Sequence, residues 1–192
     1  MELGVIVGAL VDGLGLSAWI FVVTLVGSLP LGIVVALCRM SSFKPLSLLA
    51  QFYISILRGT PLMLQLMGFI LNYSAYFAEI YRSGIQSIPK GQYEAALVLG
   101  YSRSQTFFKI VLPQVIKRIL PAMGNEIITL VKDTSLAFVL GMAEMFSVAK
   151  ALAASNVSMI PYAIAALIYW VFCLFIEFIL GRVEKKLAYY HD

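Results

Sequence analysis

The sequence predicts an all-α polytopic membrane protein, and three observations carry that prediction. Hydrophobic residues fill 61% of the 192 positions and charged residues only 12%, a more apolar balance than a water-soluble domain normally carries. The stretches Gly13 to Cys38 and Ala151 to Ile176 contain no charged residue, and each exceeds the roughly 20 apolar residues that cross a bilayer as a helix. The basic residues are also clustered rather than spread, which is how loops on one side of a membrane read.

Taken in order, the N-terminal MELGVIVGAL holds an acid and no Lys or Arg. It lacks the basic start of a cleavable signal peptide, so the first span is expected to be retained. Leu14 to Cys38 is the first predicted helix; its Gly27, Pro30 and Gly32 permit close helix contact and a bend inside a membrane. Arg39 and Lys44 end it. A second apolar run, Leu46 to Leu57, meets Arg58-Gly-Thr-Pro61 and resumes as far as Ile80. Tyr81 to Arg118 is polar and basic, and Ile119 to Val131 is apolar again apart from Asn125 and Glu126. Leu136 to Ala149 reads as a helix or re-entrant piece, and Ala151 to Gly181 as the last span.

Eleven of the fourteen Lys and Arg residues fall at 39–44, 82–118 and 182–186. These three clusters are expected on the cytoplasmic face, with the N-terminus and the region from Gly141 to Pro161 outside. That assignment demands two crossings between the first two clusters, yet Pro45 to Tyr81 supplies only 37 residues. Two full spans need about 40 before any turn. Either this hairpin is cut short or a segment is missing.

Cys38 and Cys173 stand alone in apolar runs and read as packing residues. The single histidine, His191, is one residue from the C-terminus, so no metal site is expected. No nucleophile and base recur at a spacing that would suggest an intramembrane enzyme, so no catalytic residue is assigned.

Gln92 to Pro113 is a charged helical stretch interrupted by one glycine. Ser87 is placed to cap a helix with Pro89 in its first turn, Gly100 supplies a left-handed stop, and Ser102 with Gln105 forms a capping box for a second helix. The first limb offers Tyr93, Ala95, Ala96, Leu97 and Leu99 as a small apolar knob suited to a protein socket, or alternatively to the membrane surface.

These residues resemble a known family. Glu94-Ala95-Ala96, then Gly100, Ile110 and Leu112-Pro113, is similar at full spacing to the EAA motif of bacterial ABC importer permease subunits. Arg58-Gly-Thr-Pro61, Asn72-Tyr73, Ala78-Glu79-Ile80, Gly84 to Gly91, Gly124-Asn125-Glu126 and Lys132 to Leu136 look like the polar amino acid branch, and the resemblance covers essentially the whole chain. It implies an ABC importer permease fold of nominally five transmembrane helices, with residues 1–192 forming one permease domain and about 86–113 the cytoplasmic coupling segment. Tyr93, Glu94, Ala95, Ala96, Leu97 and Gly100 would engage a dimer of ATPase subunits. The implied setting is the bacterial cytoplasmic (inner) membrane. A second permease subunit, an extracytoplasmic solute-binding protein, an amino acid substrate and membrane lipid are the other expected partners, and nucleic acid is not one. No cofactor is expected in this chain: it has no GxxxxGK[ST] loop for nucleotide phosphates, so ATP and magnesium would belong to the partner. The family carries a longer connection between the RGTP and NY-AEI segments, and the crossing count falls short at the same place.

Charged groups at membrane depth point to a pathway or to interior pairing. Glu126 and Asp133 lie seven residues apart, about two helical turns, on one face with Thr129 and, slightly rotated, Asn125. They are the expected substrate-binding residues, facing an α-amino group or a cationic side chain such as that of arginine. The rival reading has Lys132 neutralising one of them. Arg58 is expected either to pair with Glu79 or to meet a substrate carboxylate. Glu177 is expected to reach toward Arg182, and Tyr162, Tyr169 and Trp170 to pack. Two other whole-chain readings stand beside the permease. A secondary transporter would bring its own ion site and internal repeats, and a deletion-inactivated homologue would keep ATPase docking but lose the path.

Overall fold

The computed structural model describes residues 3–65 and 68–187, all of it helix, turn or irregular chain with no strand among the described residues. His191 lies outside that range, as do Leu66 and Met67.

The first helix, α1, runs Leu3–Arg39 straight through Pro30, longer at its start than the predicted Leu14–Cys38. One seam of it is buried: Leu10, Gly13, Ser17, Phe21, Thr24, Ser28, Gly32 and Ala36. Steps of three and four residues keep these on one face, and the small ones, Gly13, Ser17, Ser28, Gly32 and Ala36, let neighbouring backbones come close. α3, Phe69–Gln86, lies along this seam. At Gly32 a Cβ would stand 2.9 Å from the Phe77 Cβ and 3.2 Å from the Ser74 carbonyl oxygen, so no larger residue fits. The opposite faces of α1 and of the last helix expose Trp19, Val26, Leu37, Leu167, Trp170 and Phe178, which suits contact with lipid chains.

α2, Lys44–Gly59, packs Ile54 against Ala36, Ala75 and Ala78 and also buries Ala50. The Tyr53 hydroxyl meets the Ser74 Oγ at 2.8 Å. α2 and α3 have 16 and 18 residues, so at about 1.5 Å per residue each falls short of the roughly 30 Å hydrocarbon core. They are joined by Thr60-Pro61, a 3-10 turn Leu62–Gln65 and the N-cap Gly68. The hairpin is thus made of two short helices, and the part of its connection at Leu66 and Met67 lies outside the described residues.

Ser87 does not start the next helix. It closes α3, its hydroxyl donating back to the Gly84 carbonyl at 2.7 Å, and Pro89 is the N-cap of α4, Lys90–Val98. The Ser102–Gln105 box forms as predicted and opens α5, Arg103–Thr106. A π-helical turn, Phe107–Val111, leads into α6, Leu112–Asp133. Pro113 follows that turn; its missing N–H and its ring disturb regular helix on the preceding side, where the wider turn is found.

Past α6 the predicted piece Leu136–Ala149 divides. Thr134–Leu140 is a 3-10 segment ended by Gly141 in the left-handed region (φ +71), and α7, Met145–Asn156, sets off at 60° to the α5–α6 arm. The predicted span Ala151–Gly181 is also two pieces. Val157 turns left-handed (φ 48), the Ser158 Oγ accepts the Ile160 N–H at 3.3 Å, and α8 starts afresh as Ile160–Leu187 with Pro161 in its first turn, where its ring fits a helix start. A charge-free run hides such a break because hydropathy does not register backbone geometry. α1 and α8 are each long and apolar enough to span a membrane, and the bent α6–α7 pair makes a third if taken as one span.

Candidate functional site

The ends of α2, α3 and α6 away from α4 meet around a polar pocket of about 600 Å³. α6 supplies Glu126, Thr129 and Asp133, the seven-residue spacing placing both carboxylates on one wall as expected. α2 supplies Arg58 and Gly59, the chain continues into the pocket as Thr60-Pro61 with Thr60 extended, and α3 adds Asn72, Tyr73 and Tyr76. The carbonyls left open where α2 stops are closed by side chains: Thr60 Oγ1 donates to Ile56 O and Asn72 Nδ2 to Leu57 O, both at 2.8 Å. The opened helix end thus keeps a fixed shape.

Tyr73 is 1% exposed and its hydroxyl donates to Asp133 Oδ2 at 2.7 Å. Arg58 lies over the Tyr76 ring, 5.1 Å from its centroid, a cation–π placement that holds a guanidinium in the pocket that the two carboxylates also line. The expected Arg58–Glu79 pair does not form. Glu79 is taken by Arg82 three residues on, at 2.6 Å, a separation that brings side chains together on one helix face.

Asn125 is the sequence-predicted site residue that falls elsewhere. It is exposed and lines a separate groove with Glu177 and Glu184 between α6 and α8; one residue's rotation, about 100°, carries it off the pocket face. Lys132 likewise turns to a groove with Tyr162, Tyr169 and Trp170 and does not sit between the carboxylates. Arg182 lies over Phe178, 4.6 Å from the ring centroid, instead of meeting Glu177. Tyr162 packs beside Phe146, as expected of it. Sequence reasoning missed Tyr73 and Tyr76 as site residues. Their signal was available, since Asn72-Tyr73 is a polar pair inside an apolar run.

The second candidate feature is α4. Tyr93, Glu94, Ala95, Leu97 and Gly100 are exposed, with Leu97, Val98 and Leu99 at 74%, 87% and 72%. Ala96 turns inward at 1% exposure, so it supports the knob rather than forming its surface. The Tyr101 N–H bonds Ala96 O and the Gly100 N–H bonds Leu97 O, each at 3.0 Å, the Schellman pattern with glycine in the left-handed position (φ +78).

The end of α3 that leads into α4 is fastened to α6, and α4 itself touches α6 where Gln114 Nε2 donates to Gln92 Oε1 at 3.4 Å. Arg118 Nη1 on α6 donates to Ser87 O at 2.5 Å, and Ile88 packs with Val111 and Val115. Gly84 of α3 lies against Ile119 of α6 with no room for a side chain.

A helical membrane bundle with a solvent-facing handle at one end and a polar pocket at the other has the layout of a transport subunit driven from outside itself. The profile of the family described as "Binding-protein-dependent transport system inner membrane component" matches residues 28–189, and the chain belongs to that family. The arginine transport system permease protein ArtQ of Bacillus subtilis is 39% identical, the match covering 93% of this chain and 92% of the relative. The L-cystine transport system permease protein TcyB of the same species is 36% identical over 83% and 78%. Among solved structures, an amino acid ABC transporter crystallised with histidines matches at 33% identity with a TM-score of 0.85, covering 93% of this chain and 94% of that one. The MetNI methionine ABC transporter, 16% identical with a TM-score of 0.70, shares the fold. The chain is thus a permease subunit of an amino acid ABC transporter, a multi-pass membrane component rather than an enzyme.

The ArtQ match is 201 positions long but draws on 93% of a 192-residue chain, about 179 residues. Roughly 22 positions are therefore filled by the relative alone, in keeping with a shortened hairpin.

Proposed function

We propose that the subunit carries a polar amino acid, arginine or lysine among the candidates, through the pocket between α2, α3 and α6 into the bacterial cytoplasm. The observation that carries this reading is that Arg58 lines the same cavity as Glu126 and Asp133. A free amino acid has an α-carboxylate for the guanidinium and an α-ammonium, with or without a cationic side chain, for the carboxylates; charge-assisted hydrogen bonds of this kind are the strong ones. The name of the ArtQ relative agrees with a cationic substrate.

The drive comes from outside the chain. Two ATPase subunits receive α4 and its Tyr93–Gly100 segment, and a second permease subunit, the same or a close relative, completes the membrane unit. An extracytoplasmic solute-binding protein delivers the amino acid, and the five nominal spans lie in lipid with the α4 side in the cytoplasm. Alternating access is the mechanism this reading takes, and the connectivity supports it: α4 stands in the chain between α3 and α6, so a push on it would tilt two of the three pocket walls together. A deletion-inactivated homologue is the second reading, favoured by the short hairpin. Against it, Arg58 and Asn72, which flank the shortened connection, still join the α6 wall.

Glu126→Gln tests the substrate assignment. In the reconstituted complex with its ATPase and binding protein, arginine or lysine uptake is expected to fall at least tenfold, the order of one charge-assisted bond. Arginine-stimulated ATP hydrolysis that is unchanged from the parent would overturn it.

A further inference from the structure

Glu144 is the only charged side chain among the described residues with no exposed surface. Its Oε2 accepts the Phe146 N–H and its Oε1 the Ser147 N–H, both at 2.7 Å; the Ser147 hydroxyl lies 2.9 Å from Oε1 and shares its one proton with the Met142 carbonyl at 2.7 Å. From α8 the Tyr169 hydroxyl donates to Oε2 at 3.3 Å, and it lies beside Ser17 of α1 and Thr134 as well. Ser17 Oγ in turn accepts the Met145 N–H at 3.3 Å. Next to it Gly13 touches the start of α7 so closely that a Cβ would stand 2.9 Å from Met145 Cα.

An N-cap alone does not call for this arrangement, since a short exposed Ser, Thr or Asp caps a helix as well. Burying a carboxylate is costly unless every lone pair is used, and here the donors come from α7 and α8 together. They converge where α6 has broken and α7 departs at 60°. The chain between is short: Asp133 and Leu136 line the pocket, Thr134 is buried at 1%, and Gly141 turns the backbone toward Glu144.

We propose that Glu144 is a positioning residue that locks the bend between α6 and α7 and so fixes the pocket wall formed by Asp133 and Leu136. The inference rests on reading that pocket as the amino acid site. With both oxygens engaged, the head of α7 is seated on α1 and α8 at once, and the 134–144 segment has one path. Neutralising the carboxylate removes acceptor strength from two backbone N–H groups and from Tyr169, and the wall becomes loose.

The test uses the assembled complex in proteoliposomes with Cys38 and Cys173 replaced by serine and Leu136→Cys as a reporter. Adding Glu144→Gln, which keeps the shape and one acceptor oxygen, is expected to speed modification of the Leu136 position by a small-thiol reagent about tenfold, the order of one charge-assisted bond, well below the Tm. Glu144→Asp is expected to restore much of the slow rate. In the native-cysteine background, without the reporter, Glu144→Gln is expected to raise KM for uptake while kcat is largely kept. An unchanged labelling rate, or a kcat that falls with KM unaltered, would show a merely structural carboxylate and overturn the proposal. Glu126→Gln run in parallel separates the two readings. If it leaves KM untouched the pocket assignment fails, while the labelling rates still report on the bend.

Discussion

Asp133 stands at the last turn of α6, where its carboxylate is free to rotate unless something holds it, and Tyr73 is what holds it. The tyrosine is buried on α3 and spends its hydroxyl on Oδ2, so one hydrogen bond aligns two walls of the pocket. Tyr73→Phe keeps the ring and removes that bond. The expected result is a loss of about 1.5–3 kcal/mol in stability, the range for a bond to a charged acceptor, read as a lower Tm in detergent, with a raised KM for uptake. An unaltered KM would mean that Asp133 orients itself. How far the residue scale is legible from sequence follows from the same pair. Glu126, Thr129 and Asp133 line one pocket as their spacing predicts, because helical spacing is a property of one helix. Tyr73, Tyr76 and the role of Glu144 depend on which helices come together, which no single periodicity contains. Asn125 was misplaced because a position next to a face residue lies about a quarter turn away.

At the scale of elements, turn chemistry was read more reliably than hydropathy. The Ser102–Gln105 box and the left-handed Gly100 are local, so each is where the residues said it would be. The last span was misjudged because Val157, a branched residue with φ 48, carries no turn signal, and the Ser87 start failed because its hydroxyl is spent within α3. Gly100 has open space around its Cα, so a side chain there is opposed by backbone conformation alone. Gly100→Ala is therefore expected to cost about 1–2 kcal/mol, the left-handed penalty, confined to the α4–α5 corner. Faster amide exchange at residues 96–106, with α1 and α8 unaffected, is the predicted pattern, and Gly100→Asn, which tolerates that conformation better, should lie between. Equal exchange in all three forms would show that the corner does not depend on glycine.

Across the whole molecule, the exposed apolar surface falls into two parts of different meaning. The flanks of α1 and α8 are long and continuous, as lipid contact requires. Leu97, Val98 and Leu99 form a short patch within a basic segment, at the C-terminal end of a helix of nine residues that has little apolar surface of its own to bury. Contiguous apolar residues on a polar element mark a contact site, and anchors at the centre of such a patch carry most of its binding energy. Leu97→Asp is expected to abolish co-purification with the ATPase or weaken it at least tenfold, since a carboxylate would enter an apolar socket unpaired. The subunit itself should remain monodisperse, because Leu97 is 74% exposed and its removal leaves no internal cavity. Glu126→Gln, at the far end of α6, should leave the ATPase bound. The two substitutions then separate driving from carrying: one complex falls apart with its pocket intact, and the other stays together but no longer transports. If Leu97→Asp retains its ATPase at parental affinity, the α4 knob is a membrane-surface element and the coupling contact must be sought elsewhere on the cytoplasmic side.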